Sequence, residues 1–113
     1  MKISFDVDGV LTTPQGMALA RRKIANGDRV YIITARNEST MGARVYEIAK
    51  ELGIPRLRVY FTNGEDKWKT ILRLGIEVHY DNNVEQLNKI KENTDARWEL
   101  VNYESGDSQD FRS

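Results

Sequence analysis

Cysteine is absent from this chain, so neither a disulfide nor a thiolate nucleophile is open to it. Histidine occurs once, at His79, which excludes multi-histidine metal sites and argues against a zinc enzyme. No apolar run approaches the ~20 residues of a membrane-spanning helix, and the sequence does not start with the apolar segment of a signal peptide. The expectation is a cytoplasmic protein with no membrane partner. Neither sign of charge is in excess: Lys+Arg and Asp+Glu are 17 each, so nothing global drives the chain toward nucleic acid. Repeats and low-complexity linkers are missing. What is there is 113 residues, 40% hydrophobic and 30% charged, enough for one core. A single domain is expected over 1–103, followed by a polar, frayed tail over 104–113.

The most informative stretch runs from Phe5 to Thr12. Asp6 and Asp8 stand two residues apart at the end of an apolar run, Ile3–Val7. Read as a strand end, this spacing points both carboxylates to the same side of the backbone. Gly9 lets the chain leave the strand through dihedrals other residues avoid. Two like charges so close call for a cation beside them, or for one of them to carry a proton.

Further apolar runs follow at Val30–Ile33, Val59–Phe61, Ile76–Tyr80 and Trp98–Val101. The second is continuous rather than alternating, the pattern of a strand covered on both faces. Helical stretches lie between them. Thr13 can cap a helix that opens with Pro14 and stops at Gly27. Ser39 or Thr40 can cap the next, with Val45, Ile48, Ala49 and Leu52 on one face and Gly53 and Pro55 at its end. Asp66 can start a third, carrying Trp68, Ile71, Leu72 and Leu74 and closed by Gly75. Val84, Leu87 and Ile90 mark a short fourth. Alternating strands and helices predict an α/β fold: a three-layer α/β/α, Rossmann-like core on a five-stranded, mostly parallel sheet. Ligands gather at the carboxyl ends of such strands. There Asp6, Asp8, Thr34, Lys67 and Asp81 are expected to converge.

Asp6-Val7-Asp8-Gly9-Val10-Leu11-Thr12 resembles the first motif of the haloacid dehalogenase (HAD) superfamily of phosphotransferases. Ile32-Ile33-Thr34-Ala35-Arg36 resembles the second, Lys67 stands where the family keeps its third-motif lysine, and His79-Tyr80-Asp81-Asn82 resembles the fourth. The motifs occur in the family's order across 1–101. The resemblance implies a Mg²⁺-dependent phosphomonoester hydrolase. Asp6 would attack phosphorus and form an aspartyl-phosphate. Asp8 would protonate the leaving oxygen, deprotonate the attacking water and ligate Mg²⁺ through its backbone carbonyl. Asp6 and Asp81 would supply the carboxylate metal ligands. Thr34, Ala35, Arg36 and Lys67 would bind substrate, with Thr34 bonding the transferring group and Lys67 offsetting its charge. Three carboxylates against one Mg²⁺ and one lysine sum to zero, so a phosphate dianion meets no net repulsion. Removing either cation costs several kcal/mol of transition-state stabilisation. Lys69 rivals Lys67 for the lysine role. Asn82 replaces a second acid common in relatives, which implies weaker metal binding.

Other readings fit less well. A calcium loop needs a glutamate at its twelfth position, which, with Asp6 as the first, is Met17. A receiver domain needs its aspartate after the third strand, where the chain has Tyr60-Phe61-Thr62. Neither Thr13–Arg29 nor 38–66 has length to spare for a cap domain, so the expectation is a capless member with an open site. Its cover would come from a large phosphorylated substrate, such as a nucleic acid end or a phosphoprotein, or from a neighbouring subunit in a homo-oligomer; a nucleotide or nucleic acid end is the first substrate class expected. The phosphatase half of polynucleotide kinase is a capless relative, with a weaker likeness through Asp6, Asp8, Thr34-Ala35-Arg36 and Ser105-Gly106-Asp107. A stripe of Arg36, Arg44, Arg56 and Arg58 is a candidate to hold phosphate. His79 is expected against a helix or the sheet edge, and Trp68 in packing. The competing class is a catalytically silent phosphate- or partner-binding module, which has no need of the acid/base Asp8.

Overall fold

A computed structural model describes residues 1–103. The tail 104–113 and the Ser105-Gly106-Asp107 segment lie outside the described residues. Strand β1 (Lys2–Phe5) is followed by a tight turn, Val7–Leu11, and helix α1 (Pro14–Ala25). Then come β2 (Arg29–Thr34), α2 (Glu38–Leu52), β3 (Val59–Phe61), α3 (Trp68–Leu74), β4 (Val78–Asp81), α4 (Val84–Asn93) and β5 (Arg97–Leu100). The five strands form one sheet in the order β3-β2-β1-β4-β5, and all four pairings are parallel.

The continuous apolar run of β2 is divided between two clusters. Val30 and Ile32 pack with Ala20 of α1 and with Val45, Ile48 and Leu52 of α2. Tyr31 and Ile33 pack with Ile71 of α3 and with Leu87 and Ile90 of α4. Successive side chains of a strand leave opposite faces, so a strand buried on both shows no polar alternation.

Thr13 caps α1 as expected: its Oγ1 accepts the Gly16 N–H at 3.0 Å and donates to the Val10 carbonyl at 2.6 Å. Two helix starts differ from expectation. Asn37, rather than Ser39 or Thr40, caps α2, because its side chain reaches the Ser39 N–H at 2.9 Å. Helix α3 begins at Trp68, with Lys67 at the cap position; Asp66 instead bonds Lys89 and Gln86 of α4. The fourth strand begins at Val78, after Ile76 and Glu77. Among the described residues, no helix is long and apolar enough to cross a membrane.

Candidate functional site

The sheet order places β2 and β4 on opposite sides of β1, so the crossovers leave β1 in opposite directions and open a crevice at the carboxyl ends of β1 and β4. A cleft of about 470 Å³ lies there, lined by Asp6, Lys67, Asp81, Asn82, Asn83 and Gln86 among others. Asp6 follows the last residue of β1, and its backbone N–H still bonds the Tyr80 carbonyl at 2.9 Å, which continues the ladder. Asp81 is the last residue of β4. Lys67 enters from the cap of α3. Its backbone N–H bonds Gln86 Oε1 at 3.0 Å, and Gln86 Nε2 bonds Asp66, so α4 fixes the start of α3.

Lys67 Nζ stands 2.7 Å from Asp6 Oδ1 and 2.7 Å from Asp81 Oδ2. All three residues are buried. Lys69 turns away, with its Nζ over the Trp68 ring, so Lys67 is the lysine that reaches the carboxylates. Two carboxylates on one ammonium leave a charge of −1 in a poorly solvated place. Asp6 absorbs the consequence: burial pushes its carboxyl up, the Lys67 charge opposes, the Asp81 charge adds, and the result is about 7. Asp81 goes the other way. Burial works against its charge, but the His79 hydrogen bond and the Lys67 charge outweigh it and hold the carboxyl well below the usual range.

Asp8 lines the same cleft, but its carboxylate is bound by a residue outside the Lys67 group. The strand ends at Phe5, and Asp8 lies in the turn with Gly9, which takes φ +79°. The turn, not strand alternation, therefore sets the direction of Asp8, and Asp6 and Asp8 still line one cleft. The Asp8 carboxylate instead takes two hydrogen bonds from Arg36, Nη2 to Oδ1 at 2.8 Å and Nε to Oδ2 at 3.1 Å. That hydrogen bonding holds the Asp8 carboxyl below its usual range. Thr34 is fully buried at the end of β2, its Oγ1 accepting the Arg36 N–H at 3.2 Å, and it is not in the cleft wall. Ala35 is in that wall.

The arginine stripe does not assemble. Arg36 binds Asp8, Arg44 pairs with Glu47, Arg56 lies 4.0 Å over the Tyr46 ring and Arg58 lies 6.0 Å over Tyr31. None of the four lines the cleft. Trp68 packs against the second cluster, as expected. His79 is neither at an edge nor against a helix alone. It is fully buried between Ser4 and Asp81. Ser4, His79 and Gln86 are the site's neighbours that sequence reasoning missed. The one signal for Ser4 and His79 was a polar residue inside an otherwise apolar strand.

Comparison with protein-family models and with curated proteins finds no match for this chain.

Among the described residues, no group of three or more His, Cys, Asp or Glu side chains stands ready to hold a metal, and the Asp8 carboxylate is taken by Arg36. The two remaining carboxylates still fit Mg²⁺ in chemistry and charge. They are hard oxygen donors on one cleft, with one negative charge beyond what Lys67 offsets.

Proposed function

We propose that this protein is a Mg²⁺-dependent phosphomonoester hydrolase built on a capless, three-layer α/β/α core of the HAD type. The observation that carries the reading is the Lys67 ammonium, buried and 2.7 Å from both the Asp6 and the Asp81 carboxylates at the carboxyl ends of neighbouring strands. Structural ion pairs are common, but a shared lysine with an excess negative charge facing an open cleft is the arrangement phosphoryl transfer needs.

Asp6, Asp81 and the Asp8 carbonyl would hold Mg²⁺, which supplies charge neutralisation for the phosphoryl oxygens when bound. The Asp6 carboxylate attacks phosphorus in line; an O–P bond forms and the bond to the leaving oxygen breaks. Asp8 gives that oxygen its proton. Asp8 then takes a proton from water as the water oxygen attacks phosphorus, and the Asp6 O–P bond breaks to release inorganic phosphate. Lys67 opposes the charge on Asp6 and on the equatorial oxygens. Ala35, just after β2, would stand beside the reacting group in the cleft wall, with Thr34 buried behind it. Arg36 holds Asp8 ionised; a substrate anion that draws the guanidinium away would let Asp8 take a proton from solvent, and that is the proton it then gives to the leaving oxygen. Nucleotides and nucleic acid ends are the first substrates to try, with a second copy of the chain as an alternative cover for the open cleft.

A second reading, a silent phosphate- or partner-binding module, draws on one observation: the Asp8 carboxylate is engaged by Arg36. The two are separated by hydrolysis of a generic aryl phosphate with Mg²⁺, repeated with Asp6→Asn. The hydrolase reading expects Mg²⁺-dependent turnover that falls to the uncatalysed level in Asp6→Asn. Undiminished turnover in that variant excludes Asp6 as nucleophile, and metal binding without turnover on any phosphoester favours the silent module.

A further inference from the structure

Ser4 and His79 are register partners on β1 and β4, and both are fully buried. Ser4 Oγ lies 2.6 Å from His79 Nδ1, and His79 Nε2 lies 2.9 Å from Asp81 Oδ2. A carboxylate oxygen only accepts, so Nε2 carries the ring hydrogen and Nδ1 accepts a hydrogen bond from the Ser4 hydroxyl. The ring is thereby held from both ends.

Lys67 Nζ donates to the same Asp81 Oδ2, at 2.7 Å. Two donors occupy both lone pairs of Oδ2. Oδ1 accepts one N–H, from Asn83 at 3.1 Å, and keeps a lone pair. Asp81 therefore has one oxygen left for a further ligand. The hydrolysis proposed above assigns His79 and Ser4 no part, and a buried Ser–His pair inside a sheet costs desolvation that apolar residues avoid.

Resting on the reading of the cleft as a Mg²⁺ centre, we propose that His79, held by Ser4, is a positioning residue that restricts Asp81 to single-oxygen ligation through Oδ1 and so favours Mg²⁺ over Ca²⁺. Mg²⁺ demands near-ideal octahedral geometry, whereas Ca²⁺ takes 6–8 oxygens and accepts bidentate carboxylates. Partners that orient a ligating carboxylate are worth about 10–100-fold in metal affinity.

The test is calorimetric titration of the full chain with Mg²⁺ and, separately, with Ca²⁺. In His79→Leu, Oδ2 regains a lone pair and the carboxylate loses one of its three anchors, Lys67 and Asn83 remaining. The expected result is Mg²⁺ affinity lower by about 10-fold or more with Ca²⁺ affinity kept or raised, so that the Mg²⁺/Ca²⁺ ratio falls. Ser4→Ala frees only the far end of the ring and shifts the ratio the same way by less. The double variant Ser4→Ala/His79→Leu replaces both partners by apolar groups and guards against a folding failure of the single one. A wild-type ratio in a folded His79→Leu or double variant overturns the inference and leaves the hydrolase reading standing. Absence of Mg²⁺ binding by the wild-type chain overturns both.

Discussion

Lys67 is 3% exposed and stands between two carboxylates, so its removal strands their charge in the cleft wall. Breaking a buried pair by deleting one partner costs about 3–5 kcal/mol. Lys67→Ala is expected to lose that much in urea unfolding with chelator present, and to recover part of it when Mg²⁺ is added. Asp6 sets a pH dependence. Its native carboxyl, at about 7, binds a proton more tightly than the unfolded chain, with an ordinary value of 3.8. This group therefore stabilises the metal-free fold fully below about pH 3.8, and the advantage is lost as pH rises through about 7. His79 opposes it: burial lowers its pKa, so protonation below 6.5 favours the unfolded chain. Subtracting the profile of Asp6→Asn isolates the aspartate. The stability of wild type minus variant, measured by denaturant titration with chelator, is expected to decline between pH 4 and pH 7. A flat difference contradicts the raised pKa.

The turn and helix that follow β1 form the element on which Asp6 and Asp8 depend. Gly16, in the first turn of α1, lies against the chain that carries the motif: a Cβ there would stand 1.8 Å from the Val10 carbonyl oxygen. Backbone cannot yield as a side-chain tip can. Gly16→Ala is therefore expected to destabilise by at least the upper end of the about 1–3 kcal/mol usual for overpacking, read as a drop in thermal midpoint. Gly27→Ala meets no atom within 4 Å, so any loss there comes from backbone conformation rather than from a clash. Thr13 ties the same turn together by accepting from Gly16 and donating to Val10. Helix α4 has a comparable role for Lys67, through Gln86 and Lys89 on Asp66 and Lys67.

At the scale of the molecule, β1 is paired on both sides and covered on both faces, while β5 is an edge strand with three of its four residues exposed. Local stability should follow that gradient. Hydrogen exchange is expected to be slowest at the β1 and β2 amides and fastest among strands at β5; equal protection throughout would contradict it. Elements and their order were legible in the sequence because they report local physics. Apolar runs mark strands, and polar residues at their ends, Asp6, Thr34 and Asp81, mark the sheet's carboxyl rim, to which Lys67 is added from the start of a helix. The boundaries at Asn37, Lys67 and Val78 were less legible, since more than one residue in each stretch was able to cap or begin the element. The pairings in the Ser4–His79–Asp81 chain and of Asp8 with Arg36 were not legible, although Ser4 and His79 stand out as polar residues in apolar strands. Each joins residues 28 or more positions apart, or depends on the register of β1 against β4. The sequence alone determined which segments become strands and in what order, because hydrophobic periodicity is a property of neighbouring positions. Which of their residues meet, and which partner takes each carboxylate, was decided only by the tertiary structure, because strand register and crossover direction depend on packing between segments distant in the chain.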